Sequence, residues 1–70
     1  MKLHEKIYYY RKKAGLSQDA LAEQLGISRQ AVSKWETGAA EPSTTNLLAL
    51  ARLYGVSAGE LLSGVEQKRK

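Results

Sequence analysis

The sequence has no cysteine and only one histidine, one proline and one tryptophan in seventy residues. Without cysteine there are no disulfides and no thiolate metal sites, so the chain suits a reducing compartment. Long apolar runs are missing too. The longest stretches, such as LLALA from Leu47 to Ala51, fall far short of the roughly 20 residues that cross a bilayer. The Met-Lys-Leu-His start lacks the apolar segment of a signal peptide, and the expectation is a soluble, cytoplasmic protein. One histidine, no cysteine and no pair of carboxylates that the pattern would bury together leave nothing to assemble a catalytic site, so no enzyme, metal or cofactor is expected. His4 has no second ligand candidate nearby and is expected at the surface. Alternating β-branched runs, internal repeats and low-complexity segments are absent. Seventy residues suffice for one domain, with a core small enough to leave a narrow margin of stability.

What is present is positive charge. Eleven Lys plus Arg against seven Asp plus Glu give a formal +4 and a pI near 9.6, a modest bias toward anionic partners such as nucleic acid. Lys2, Lys6, Arg11, Lys12 and Lys13 fall in the first segment. Lys68, Arg69 and Lys70 close the chain and read as a solvated tail or linker, which divides it into a domain over 1–64 and a basic tail or linker over 65–70.

Glycines punctuate the chain. Gly15, Gly26 and Gly55 each precede one apolar residue and a serine, in GLS, GIS and GVS. Glycine takes the left-handed conformation that ends a helix, and the serine hydroxyl accepts from the free amides that begin the next. The apolar residue between them is placed to pack on the fourth position of the new helix: Leu16 on Leu21, Ile27 on Val32, Val56 on Leu61. Ser57 with Glu60 forms a full capping box; Ser17 and Ser28 have alanine at that place. Gly38 and Gly64 end two further helices, and Pro42 with Ser43 opens the one between.

These signals predict an all-α bundle of five helices, over Leu3–Ala14, Gln18–Leu25, Arg29–Thr37, Thr44–Tyr54 and Ala58–Ser63. Helical periodicity turns Leu3, Ile7, Tyr10 and Ala14 inward on the first, Leu21, Ala22 and Leu25 on the second, and Val32 and Trp35 on the third. On the fourth it selects Leu47, Leu50, Ala51 and Tyr54, with help from Leu48 and Leu53, and on the last Leu61 and Leu62. Tyr8 and Tyr9 stay partly exposed. Only Gly26, Ile27 and Ser28 separate the second and third helices, too few for the two to lie flat together, so they are expected to cross steeply. At about 100 degrees per residue, Gln30, Ser33, Lys34 and Thr37 then project opposite Val32 and Trp35, with Arg29 beside them. One helix is propped outward on another, polar side first.

On LSQDALAEQLGISRQAVSKWETG, the following EPS and the late GVSAGELL, the chain resembles the helix-turn-helix family of phage repressors, Cro proteins and xenobiotic-response-element-type bacterial regulators. The resemblance runs from Leu3 to Gly64. It implies a lambda-repressor-like, double-stranded DNA-binding domain of a transcriptional regulator, repressor-like, whose third helix enters the major groove, usually as a homodimer on two half-sites. By position it implies base contacts from Arg29, Gln30, Ser33 and Lys34, where Arg forks onto guanine and Gln onto adenine. It implies backbone contacts from Gln18, Ser28, Thr37, Ser43, Thr44 and Asn46. It also implies a partly buried ion pair between Arg11 and Glu36, and a dimer contact near Leu62 and Val65. The loop after Gly38 departs from the family: Ala39, Ala40 and Glu41 stand where a cation is common. A protein-interaction module of the same fold, such as an antitoxin or an anti-repressor partner, is the alternative; it need not keep Arg29, Gln30 and Lys34 together. A single-stranded RNA reader is disfavoured by the lack of an exposed aromatic strand face.

Overall fold

The computed structural model describes residues 1–63. The expected basic tail over 65–70, the stop at Gly64 and the contact at Val65 lie outside the described residues. Five α-helices account for the architecture: α1 (Leu3–Lys13), α2 (Gln18–Leu25), α3 (Arg29–Thr37), α4 (Thr44–Tyr54) and α5 (Ala58–Ser63). No strand occurs among the described residues.

Local chemistry sets the helix ends. The hydroxyl oxygens of Ser17, Ser28, Ser43 and Ser57 accept from the amides of Ala20, Ala31, Asn46 and Glu60 at 3.0 to 3.2 Å, each satisfying one of the free donors that open a helix. The α1 start uses the reverse bond, the Lys2 amide donating to the Glu5 carboxylate at 2.7 Å. In the turn between α2 and α3, Gly26 has φ 71°, and the Ile27 amide donates back to the Ala22 carbonyl at 3.0 Å. That bond closes α2 and throws the chain at once into the Ser28 cap of α3.

The core is Ile7, Leu21, Ala22, Val32, Trp35, Leu50, Ala51 and Leu61. Leu16, Ile27 and Val56, the apolar residues of the three glycine-serine turns, pack against it. α2 packs mainly on α3, α1 lies against α3 as well as α4 and α5, and α4 meets α5. Trp35, 5% exposed, is therefore a core residue, and it lines one cleft with Leu3 and Ile7 of α1.

Several inward assignments change. α1 stops one residue early, and Ala14 is exposed at its C-cap. The chain turns at Gly15, and Leu16, whose amide donates to the Arg11 carbonyl at 3.1 Å, takes the inward place. Leu48, Leu53 and Leu62 are exposed, because the stripe formed by Leu47, Leu50, Ala51 and Tyr54 already fills the arc of α4 that meets its neighbours, and Leu61 does so for α5. His4, expected at the surface, is half-buried, its ring standing where a Cβ added at Gly38 would touch it at 3.5 Å, in a cleft shared with Trp35 and Pro42.

Candidate nucleic-acid interface

The third helix divides sharply. Val32 and Trp35 are buried in the core; Arg29, Gln30, Lys34 and Thr37 are exposed, and Ser33 is half-buried at the border. Gln30 and Lys34 are four residues apart and so share one stripe of the helix surface. The outward side thus presents an amide, a hydroxyl and two cations to solvent, while the opposite side anchors the helix.

A buried polar network fixes this helix against α1 and α2. Arg11 grips Glu36 with two parallel bonds, Nε to Oε2 at 2.6 Å and Nη2 to Oε1 at 3.1 Å, and its Nη1 donates to the Leu16 carbonyl at 2.8 Å. The two side chains are only 9% and 5% exposed, so the ion pair is buried. The hydrogen-bonded Glu36 carboxylate pushes the Arg11 guanidinium still further above its ordinary value. Gln18 joins from the start of α2, donating its side-chain amide to Glu36 Oε1 at 3.0 Å. Charge-assisted, two-pronged contacts of this kind impose geometry as well as energy. The end of α3 and the beginning of α2 are thereby locked together, and Gln18 is held half-buried beside the outward face.

The other polar candidates have local work. Ser28 and Ser43 use their oxygens as helix caps, which leaves each hydroxyl hydrogen able to donate outward. Thr37 donates to the Lys34 carbonyl at 3.2 Å and accepts from the Ala39 amide, finishing the helix. Ser43, Thr44 and Asn46 stand at the start of α4, beyond the 38–43 loop, and share no hydrogen bond with α3 among the described residues. Exposed Glu41 lies in that loop, so its only side-chain charge is negative.

A family model described as helix-turn-helix matches residues 7–61, the span from the first core residue of α1 to that of α5. The chain belongs to the helix-turn-helix family. It is 42% identical over 66 residues to the transcriptional activator BcrR of Enterococcus faecalis, covering 94% of this chain and 32% of that protein. Against repressor protein C2 of Salmonella phage P22 it is 42% identical over 60 residues, 86% of this chain and 28% of that protein. The chain spans about a third of the length of these two relatives. The crystal structure of the P22 c2 repressor in complex with a synthetic operator matches with a TM-score of 0.85 at 39% identity, covering 91% of this chain and 97% of that one. SinR crystallised with DNA matches at 0.77 and 30% identity, over 84% of this chain and 95% of that one.

Within this helix-turn-helix, two contacts escape any reading of the sequence. Arg29 Nε lies 3.3 Å from Asp19 Oδ1 on α2, and nothing in a ten-residue separation across two helices signals that pairing. Lys6, one of the cations of the first segment, is buried; its ammonium donates to the Glu60 carbonyl and pairs with the Glu60 carboxylate at 3.6 Å. Tyr10 donates to the same carboxylate at 3.0 Å. Lys6 therefore ties α1 to α5 and is withdrawn from any surface that meets an anion.

Proposed function

We infer that the chain is a sequence-specific, double-stranded DNA-binding domain of a repressor-like transcriptional regulator, with α3 lying in the major groove. The observation that carries the reading is the outward face of α3: Arg29, Gln30 and Lys34 are exposed to solvent, Arg29 beside the Asp19 carboxylate, while Val32, Trp35 and the buried Glu36 anchor the opposite side. Reading base edges needs donors and acceptors on a rigid element narrow enough for the groove, and a single helix fits. The operator complex of the P22 repressor and the DNA complex of SinR, both similar folds, support it.

In this reading Arg29, Gln30, Ser33 and Lys34 contact bases. Gln18, Ser28, Thr37, Ser43, Thr44 and Asn46 contact the phosphate backbone, Gln18 through the amide hydrogen not given to Glu36, and Ser28 and Ser43 through their hydroxyl hydrogens. The domain takes in residues 1–64 and works in the cytoplasm, beside the DNA. The relatives are transcription regulators, in keeping with a non-catalytic role. One short helix reads few base pairs, so useful specificity takes two copies on two half-sites, paired through the exposed Leu62 of α5.

Selection of bound duplexes from a random pool tests the reading. A palindrome with half-site centres about 34 to 36 Å apart is the expected product. A pool that stays random after repeated rounds, with the protein folded, would overturn it.

A further inference from the structure

We propose that Asp19 is a specificity-determining residue: it holds the Arg29 guanidinium end-on for a guanine and so sets how strongly the domain prefers its own site to other duplex. The proposal rests on the DNA reading above and adds a residue to it.

Asp19 lies in the first turn of α2 and Arg29 opens α3. Their side chains are 79% and 56% exposed. A pair so open to solvent adds little to stability, and an acid in a first turn is already explained by the helix dipole. Neither accounts for the direction of Arg29. The nitrogen nearest the carboxylate is Nε, at 3.3 Å. A carboxylate on that edge of the guanidinium leaves the far end open, where the two terminal amino groups point away together. Those are the donors that match guanine O6 and N7.

Two consequences of opposite sign follow. An arginine already held in its reading position loses less freedom on meeting guanine, which favours the specific complex. A carboxylate beside it repels phosphate, which penalises every complex in which Arg29 only touches the backbone. The charge counts because the depression around it is lined by Lys12 and Arg29, with Gln18 and the Glu36-paired Arg11, and Asp19 is the only acid that lines it among the described residues. Asp19 therefore trades total affinity for selectivity.

Binding of the full chain and of Asp19→Asn is measured on three duplexes: the selected site, the same site with the guanine pair that Arg29→Ala identifies replaced, and an unrelated sequence, each at several salt concentrations. Wild type is expected to prefer the guanine roughly 10- to 100-fold. Asp19→Asn is expected to lose most of that preference, to bind the unrelated duplex more tightly, and to show a steeper salt dependence there. Asp19→Glu, which keeps the charge but moves it by one methylene, is expected to lose preference with no gain on the unrelated duplex. Tightening of all three duplexes by one common factor in Asp19→Asn would overturn the proposal, leaving Asp19 a plain repelling charge. A base preference indifferent to Arg29→Ala would overturn it as well, with the DNA reading intact; a wild type that distinguishes no duplexes would overturn that reading too.

Discussion

At the scale of single residues, the polar groups that hold α3 in place have their partners buried with them. Glu36 is 5% exposed and gripped by Arg11 through both carboxylate oxygens. Removing the cation leaves that charge with Gln18 alone, and breaking a buried pair costs about 3 to 5 kcal/mol, a large share of the roughly 5 to 15 kcal/mol that holds a small domain together. Arg11→Ala should therefore lower the denaturant midpoint steeply; a midpoint equal to wild type would show that the pair is energetically idle. Tyr54 makes a second, pH-dependent prediction. Its hydroxyl donates to the Ile7 carbonyl at 3.1 Å, its ring stacks on Tyr10, and burial pushes its phenol well above the ordinary value. The unfolded chain ionises this tyrosine near pH 10, whereas the folded chain keeps the proton. The contribution is thus intact below about pH 10 and is lost as pH rises from there toward the folded value. Tyr10, raised by its bond to Glu60, adds a slope of the same sign. Stability measured from about pH 9 to 12 should fall less steeply in Tyr54→Phe than in wild type, and equal slopes would contradict the assignment.

At the scale of elements, the turn between α2 and α3 decides where the outward helix points. Gly26 sits at φ 71° with open space around it, so a Cβ there meets no neighbour and the penalty is in the backbone alone. Gly26→Ala is expected to cost about 1 to 2 kcal/mol, and Gly26→Asn less, because asparagine enters the left-handed region more readily. Equal melting temperatures for the two variants would show that the turn relaxes away from that conformation. Such turns are readable in advance because their causes are local: a glycine, one apolar residue and a serine specify stop, anchor and start within a few positions, and four of the five helices carry the expected bounds. The outward face of α3 is readable for the same reason, since the spacing of Val32 and Trp35 marks its inner side. What was hidden depends on distant partners. Nothing near Lys6 tells of the α5 carboxyl and carbonyl 54 residues away, and nothing near His4 tells of Gly38. Leu48, Leu53 and Leu62 outnumber the places that α4 and α5 have to bury, and only the finished packing chooses among them.

At the scale of the whole molecule, a small basic domain rests α3 on a buried Arg11–Glu36–Gln18 network, and in the function proposed above its one polar face meets a duplex. In the proposed reading this face distinguishes bases, whereas the groups that touch only phosphate distinguish nothing. Gln30 and Gln18 carry the same amide in the same motif, and Gln18→Ala also removes the bond to Glu36, so its effect on stability is measured separately from its effect on binding. A lost base-reading contact costs about 1 to 3 kcal/mol on the preferred site and relaxes preference at one position. A lost phosphate contact weakens every sequence alike, because phosphates are everywhere. The decisive measurement is the affinity of wild type, Gln30→Ala and Gln18→Ala for the selected site and for its set of single base-pair variants, with helical content and melting checked for each protein. Gln30→Ala is expected to flatten the profile at a single position, and Gln18→Ala to lower the whole profile without changing its shape. A folded Gln30→Ala protein that keeps both full affinity and the full wild-type profile would contradict the proposed reading.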